Sequence, residues 1–150
     1  MEILFVCKFN VGRSQIAETF FNKFSRRNHA ISAGINPYYI RKYGTKISEI
    51  PNEPAVEVMA KKGIDISKNK IKILNKKMIR KSDLIVVLMT KKRANRDLPK
   101  YVLNSEKLRF WEIKNVSGRQ THLSMYKAHC KNRDKIQLLV KRLVGELDKK

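Results

Sequence analysis

The chain is poor in the residues that mark several classes of protein. Its two cysteines in 150 residues lie far apart, which excludes a disulfide scaffold and favours a reducing compartment, so we expect a cytoplasmic protein. Six glycines and four prolines are too few for a collagen-like or low-complexity chain. No apolar run approaches the roughly 18 residues that a membrane span needs, and the first residues do not resemble a secretion signal. We therefore expect a globular protein with no membrane partner.

Acidic residues are also scarce. The chain has 13 Asp and Glu against 34 Lys and Arg, which gives a formal net charge of +21. Residues 61–96 hold thirteen of the basic residues and only two acidic ones, Asp65 and Asp83. Such a charge suits nucleic acid or phosphorylated and acidic partners, but this stretch lacks the aromatic residues that stack on bases. It therefore favours a solvated basic surface, and nucleic acid is the less favoured partner.

The apolar pattern predicts alternating strands and helices. Short apolar runs predict strands over 2–6, 30–33, 83–89 and 108–113. Helical spacing of apolar residues predicts helices over 14–24, 53–62, 74–81 and 132–147, with a long loop over 35–52. Ser14 is predicted to begin the first helix and to cap it. This order predicts a single α/β domain over 1–150, with a parallel four-stranded sheet and helices on both faces.

The segment after the first strand, residues 7–14, carries the strongest chemical signal; we call it the cradle loop. Ligands bind such sheets at the carboxyl ends of the strands, where this loop lies. It starts with Cys7, and a helix follows at once after Arg13 and Ser14. Its backbone N–H groups, together with the helix N-terminus, are predicted to bind a tetrahedral oxyanion. The predicted phosphate-binding residues are Lys8, Phe9, Asn10, Val11, Gly12 and Arg13.

The side chains of the cradle loop suit nucleophilic substitution at phosphorus. The positive field of the loop favours the thiolate form of Cys7, which attacks phosphorus in line. Arg13 is expected to hold two oxygens in a bidentate fork, and Ser14 to hydrogen-bond the thiolate and help it leave. Asn10 tolerates a left-handed backbone and can pin the loop, and Gly12 permits close backbone approach.

Cys7, Asn10, Arg13 and Ser14 together resemble the C-x5-R-S motif of the low-molecular-weight protein tyrosine phosphatases and their arsenate reductase relatives. The likeness extends to nearly the whole chain, through Ser32-Ala33-Gly34, residues 54–66, residues 83–89 and Trp111-Glu112-Ile113. It implies a phosphoric monoester hydrolase in which Cys7 forms a thiophosphate intermediate that water then hydrolyses. It also implies that Ser32 supports the loop, and that neither a metal nor a cofactor is needed.

Asn115 is where the chain departs from the phosphatase pattern. Relatives carry an Asp-Pro after the last strand, and that Asp protonates the leaving oxygen; here Asn115 stands in its place. An amide cannot donate this proton, and losing a general acid typically costs about 10² to 10⁴ in rate. Glu112, the nearest carboxylate, is assigned to the strand end. We expect either a weakened enzyme that prefers aryl phosphates or one that recruits another acid.

Two other functions remain open from the sequence. The first is an arsenate reductase, which Gln15 after Ser14 favours, although the two relay cysteines of the thioredoxin-coupled enzymes are missing and only Cys130 accompanies Cys7. The second is a phosphate-binding protein silenced by Asn115, although such a protein has no need of the nucleophile. The three histidines show no metal-ligand spacing. Tyr38, Tyr39 and Tyr43 are expected to form a partly buried cluster, and a place beside the substrate ring is the weaker alternative.

Overall fold

Four parallel strands form one sheet in the order β2-β1-β3-β4. The computed structural model describes residues 1–116 and 121–149. The strands are β1 (Glu2–Cys7), β2 (His29–Gly34), β3 (Leu84–Leu88) and β4 (Leu108–Trp111). Each predicted strand is therefore present, with ends shifted by one or two residues. The central pair β1 and β3 is almost wholly buried, as expected for strands covered on both faces.

Helices cover both faces of the sheet, as predicted. They are α1 (Arg13–Phe24), α2 (Tyr38–Tyr43), α3 (Pro54–Ala60), α4 (Lys76–Lys81), α5 (Lys91–Asp97), α6 (Lys100–Leu103) and α7 (His122–Leu147). Alternate residues of β1 point to opposite faces: Phe5 packs in a core with α1, α3 and α7, and Leu4 in a second core with α4, α5 and α6. No helix within the described residues is long and apolar enough to cross a membrane.

Three local predictions are wrong. Residues 35–52 are not one loop but contain α2 and a 3₁₀ helix, Ile47–Glu49. The last helix begins at His122 instead of 132. Its first turns alternate polar residues with only partly buried apolar ones, so they lack the continuous apolar stripe from which the prediction was made. Ser14 does not cap α1: the cap position is Gly12, which offers no side-chain hydrogen bond, and the Ser14 hydroxyl instead faces the cradle loop.

Candidate active site

The cradle loop forms the floor of a cavity of about 250 Å³ at the carboxyl ends of the strands. Cys7 is the last residue of β1 and only 2% exposed, so its thiol lies at the base of this cavity. The cavity is lined by Cys7, Phe9, Val11, Gly12, Arg13, Ile16, Tyr39, Glu53, Pro54, Asn115, Val116, Met125, His129, Asn132 and Ile136. An oxyanion that enters it meets the thiol and the guanidinium together.

The Ser14 hydroxyl is directed at the Cys7 thiol. Ser14 Oγ lies 2.9 Å from Cys7 Sγ, and both atoms are buried. Asn10 Nδ2 donates to the same hydroxyl oxygen at 2.8 Å. Because the oxygen accepts from Asn10, the hydroxyl proton is available for the sulfur. Ser14 is thus placed to stabilise a thiolate on Cys7.

Asn10 holds the loop in shape from behind. Its φ of 61° is in the left-handed region, as predicted for this residue. Its Oδ1 accepts from the Lys72 backbone N–H at 2.8 Å and from Gln15 Nε2 at 3.0 Å. A backbone N–H can only donate, so this contact fixes the amide orientation and leaves Nδ2 for the hydroxyls. The fully buried Asn10 is therefore satisfied on both sides of its amide.

Ser32 supports the loop, as the family resemblance implies. Its Oγ accepts from Asn10 Nδ2 at 2.9 Å and donates to Glu18 Oε2 at 2.6 Å. Glu18 in turn forms an ion pair with Lys72 at 3.4 Å. A continuous chain of hydrogen bonds therefore runs from Cys7 through Ser14, Asn10 and Ser32 to this ion pair. A buried network in which every member has a partner fixes one arrangement of side chains.

Arg13 is anchored by one edge of its guanidinium. Nη1 donates to the carbonyl oxygens of Leu88, at the end of β3, and Ile113, just after β4 (2.9 and 3.1 Å). Nε and Nη2 form no hydrogen bond within 1–116 and 121–149, so they are available to an oxyanion. Burial lowers the pKa of Arg13, the Cys7 charge opposes this, and the Arg93 charge adds to it. Arg13 still carries its charge at neutral pH.

The backbone of the cradle loop has unused donors. The N–H groups of Phe9, Asn10, Val11 and Gly12 donate no hydrogen bond to the described part of the chain. The chain packs closely against the loop at Gly34. A Cβ on Gly34 would lie 2.6 Å from the Phe9 carbonyl carbon, whereas one on Gly12 would have only an ordinary 3.9 Å contact with Ala55. Gly34 thus lets β2 pack directly under the loop.

Four side chains form what we call the outer wall of the cavity: Tyr39, Glu53, Asn115 and His129. Asn115 faces the same cavity as Cys7, which agrees with its alignment to the general-acid position. The Tyr39 ring lies 5.0 Å from the Phe9 ring, edge to face, and both join the cluster with Tyr38 and Tyr43. The tyrosines therefore form the expected cluster, and Tyr39 also borders the cavity. The end of the acid-loop region, residues 117–118, lies outside the described residues.

Glu53 was missed in the sequence because it looks like an ordinary helix-start residue. Its Oε1 accepts the Ala55 N–H at 3.3 Å as the N-cap of α3. Burial raises its pKa to about 7, although the Ala55 hydrogen bond acts in the opposite direction. The pKa of His129 is lowered, first by burial and then by the Arg13 charge. The outer wall thus holds a carboxyl that is partly protonated at neutral pH.

Other predicted residues lie beside the cavity. Lys8 does not line it, and its Nζ lies 5.1 Å from the centre of the Phe9 ring. Glu112 accepts the Lys91 N–H at 2.8 Å and so belongs to the strand end, as assigned. Gln15 and Glu18 of α1, the first buried and the second partly buried, bind the loop from behind and are supporting residues that the sequence analysis missed. The sequence did offer a signal for them: polar side chains on the buried side of a predicted helix need hydrogen-bond partners, and these partners lie in the neighbouring loop.

The basic stretch over 61–96 is divided between surfaces. Arg93 of α5 is near enough to Arg13 for its charge to act on the Arg13 pKa. Lys72 supports the loop from behind, while Lys76 lies over the Tyr101 ring.

Cys130 is a free, half-buried thiol on α7 that does not line the cavity of Cys7. Within the described ranges, no three His, Cys, Asp or Glu residues are grouped closely enough to bind a metal ion.

The sheet ends at a buried thiol, an arginine and backbone N–H groups that have no partner within 1–116 and 121–149, an arrangement that can bind an oxyanion beside a nucleophile. A family model described as low molecular weight phosphotyrosine protein phosphatase matches residues 2–149. The chain belongs to this family, which confirms the resemblance seen in the sequence. Its four-stranded fold is the one that solved members of the family share.

Individual relatives agree with this assignment. The probable low molecular weight protein-tyrosine-phosphatase EpsP of Ralstonia solanacearum is 37% identical over 87 residues, which are 57% of this chain and 54% of the relative. The match thus spans about half the length of that protein. The low molecular weight protein tyrosine phosphatase of T. tengcongensis is 25% identical, with a TM-score of 0.74 over 98% of this chain and 99% of that one. An arsenate reductase in its oxidised state, 21% identical over 97% of each chain with a TM-score of 0.70, shares the fold.

Proposed function

We propose that this protein is a cysteine-dependent phosphatase that hydrolyses phosphate monoesters through a thiophosphate intermediate on Cys7. The observation that carries the proposal is the position of the Cys7 thiol at the base of the cavity, 2.9 Å from the Ser14 hydroxyl and beside the Arg13 guanidinium. Thiolate, hydroxyl and arginine are what nucleophilic displacement at phosphorus requires. Family membership supports the same chemistry.

In the first step the Cys7 thiolate attacks phosphorus. The S–P bond forms, the bond from phosphorus to the ester oxygen breaks, and the ester oxygen leaves, taking up a proton from an acid of the cavity or from water. The N–H groups of residues 9–12 and the free edge of Arg13 bind the three equatorial oxygens, whose charge they stabilise in the transition state. The hydrogen bonds of Arg13 to Leu88 and Ile113 hold this free edge in place before the substrate arrives.

In the second step water attacks the phosphorus of the intermediate. The S–P bond breaks, and inorganic phosphate and the thiolate are released. The Ser14 hydroxyl stabilises the departing thiolate, because its proton is directed at the sulfur by the Asn10 hydrogen bond. The nucleophile is restored without any outside reductant.

Aryl phosphates are the substrate class that the cavity supports best. The Phe9 and Tyr39 rings border the entrance and offer apolar faces to a substrate ring. Aryl oxygens are also better leaving groups than alkyl oxygens, so they depend less on the acid that Asn115 does not supply. A phosphorylated protein side chain is our preferred physiological substrate, with the neighbouring cations Lys8 and Arg93 favouring acidic surroundings. The chemistry requires Cys7 in its reduced form, and this requirement favours action in the cytoplasm.

The two alternatives have less support. A reductase of the thioredoxin-coupled type needs a second thiol within disulfide reach of Cys7, whereas Cys130 lies outside the lining of the cavity. A silent phosphate-binding protein needs no nucleophile, yet the thiol, Ser14 and Asn10 are joined in a complete buried network. Arsenate, which resembles phosphate, is expected to bind the same cavity as an inhibitor.

Hydrolysis of para-nitrophenyl phosphate by the wild-type protein, Cys7→Ser and Cys130→Ser tests the proposal, with a reductant and no added metal. Wild type and Cys130→Ser are expected to turn over, while Cys7→Ser loses at least about 10³-fold because the nucleophile is gone. If all three are inactive but bind inorganic phosphate, the phosphatase assignment is wrong. If the wild-type protein reduces arsenate and both Cys7→Ser and Cys130→Ser lose that activity, the reductase alternative is correct.

A further inference from the structure

The missing Asp leaves a chemical requirement that one residue on the outer wall meets. Among the described residues that line the cavity, Glu53 is the only carboxylic acid. The sequence from Ile113 to Arg133 contains no Asp or Glu, so neither the segment after β4 nor the first turns of α7 can supply one. Glu112 is occupied at the start of α5, where it binds the Lys91 N–H. Any carboxyl that serves this cavity therefore comes from a different element.

Helix α3 brings Glu53 beside the cradle loop. The Ala55 Cβ lies 3.9 Å from the position that a Cβ on Gly12 would take, so the first turn of α3 lies beside the loop. Glu53 is the N-cap of this helix, and Oε1 is held by the Ala55 N–H. Its Oε2 has no hydrogen bond within 1–116 and 121–149. One carboxyl oxygen is thus fixed by the helix, and the other is available to carry a proton.

We propose that Glu53 is the general acid that protonates the leaving oxygen, in place of the Asp that Asn115 has replaced. This rests on the proposed phosphatase function. In the first step the Glu53 proton passes to the ester oxygen as its bond to phosphorus breaks, which leaves a Glu53 carboxylate. In the second step this carboxylate takes one proton from the attacking water, and the remaining hydroxyl stays on phosphate. Glu53 is thereby protonated again for the next cycle.

The electrostatic surroundings of Glu53 suit an acid. In a chain with a net charge of +21, no Lys or Arg forms an ion pair with Glu53 in the part of the structure described. Across the cavity it faces the titratable groups of Cys7, Arg13, Tyr39 and His129, and on its outer side a groove lined also by Glu57, His122 and Tyr126. Burial raises its pKa to about 7, a value suited to proton donation near neutral pH.

His129 is the competing donor in this cavity. It lies on α7, and burial together with the Arg13 charge lowers its pKa below that of a free imidazole. Its protonated form is thus disfavoured at neutral pH, while the protonated form of Glu53 is favoured by burial. The two candidate donors can be told apart by mutation, and His129→Gln serves as the matched control for Glu53→Gln.

The test compares two aryl phosphates that differ in their leaving groups. Para-nitrophenyl phosphate has a good leaving group and phenyl phosphate a poor one, so only the second depends strongly on an acid. For Glu53→Gln, kcat/KM for phenyl phosphate is expected to fall about 10²-fold, against less than about tenfold for para-nitrophenyl phosphate. The descending limb of the phenyl phosphate pH profile near 7 should disappear. Adding Asn115→Asp to Glu53→Gln should restore part of the lost activity.

The outcomes separate this proposal from the one on which it rests. If Glu53→Gln loses activity equally on both substrates, or loses none, Glu53 is not the general acid. The phosphatase proposal still stands in that case, provided that hydrolysis of para-nitrophenyl phosphate depends on Cys7. If His129→Gln, and not Glu53→Gln, loses more kcat/KM on phenyl phosphate than on para-nitrophenyl phosphate, the proton donor is His129. Wild-type protein with no Cys7-dependent turnover overturns both proposals. Should Glu53→Gln fail to fold, Glu53→Asp keeps an N-cap acceptor, and its shorter side chain is expected to give a smaller loss of the same kind.

Discussion

The cradle loop and the outer wall of the cavity are held in different ways. In the loop, the buried side chains of Asn10 and Ser14 bind one another and Asn10 reaches the backbone of Lys72, so each has its partners inside the protein. On the outer wall, Glu53 has a single backbone hydrogen bond and Asn115 replaces an expected acid. The proposed oxyanion site, whose side chains bind one another, is thus paired with an outer wall that departs from the family pattern. The comparison suggests that phosphate binding and leaving-group chemistry can be changed separately.

Replacing Arg13 should give the largest effect on the loop side. Arg13→Lys keeps the positive charge but loses the planar guanidinium. One edge of that group binds the carbonyls of Leu88 and Ile113, and the other edge is proposed to bind substrate oxygens. We expect kcat/KM for para-nitrophenyl phosphate to fall about 10³-fold, as for loss of a preorganised transition-state donor. Arg93→Lys, which leaves the fork intact, should stay within a few-fold of wild type. Similar losses in both variants would mean that charge alone is what Arg13 supplies.

Asn10 tests whether the network shapes the loop. Asn10→Ala leaves the Lys72 N–H and the Ser14 hydroxyl without their partner and places an alanine at φ of 61°. We expect a loss of about 3 kcal/mol in the free energy of unfolding, measured by urea denaturation, and a drop in kcat. Asn10→Gly removes the strain but not the lost hydrogen bonds, so it should recover only part of the stability. Full recovery by glycine would show that the network contributes little.

Asn115→Asp tests the outer wall by restoring the family pattern. The new carboxyl can donate a proton, so turnover of phenyl phosphate and phosphotyrosine should rise about tenfold or more, with a smaller gain for para-nitrophenyl phosphate. Asn132→Asp adds the same charge to another residue of the cavity lining and should give no such gain. If Asn115→Asp leaves the poor leaving groups unchanged, position 115 does not correspond to the acid.

A further expected effect of the outer wall is on stability, through Glu53. The pKa of Glu53 is about 7 in the folded protein against an ordinary value of 4.5, so folding favours the protonated carboxyl. Its contribution is complete below pH 4.5 and is lost as the pH rises to 7. Because the side chain is partly exposed, we expect a loss of about 2 kcal/mol over this range. Urea denaturation at pH 4.5 and 8 measures this loss as a fall in the free energy of unfolding. The fall should be absent in Glu53→Gln and present in Glu57→Gln, which changes a residue of the same helix.

The sequence predicts the loop better than the outer wall, for a physical reason. The loop follows from local patterns: an apolar strand, then a thiol, Asn10 and Arg13 at fixed spacing before a helix. Glu53 reaches the cavity because the first turn of α3 lies beside Gly12, and spacing along the chain does not indicate that these distant segments come together. The early start of α7 was missed for the same reason, since Met125 and His129 face the cavity and not the core. The predicted cap at Ser14 failed because the hydroxyl binds Cys7 and Asn10 instead.

The long-range hydrogen bonds of the cradle loop also set the order in which activity can appear as the chain is synthesised. Asn10 depends on Lys72, 62 residues further along, and Arg13 depends on Leu88 and Ile113, 75 and 100 residues further along. A nascent chain that has completed only β1, α1 and β2 carries the nucleophile but lacks these anchors. We therefore expect the thiol to become catalytic only after β3 and β4 have joined the sheet, so that the proposed hydrolytic activity would report the completion of folding.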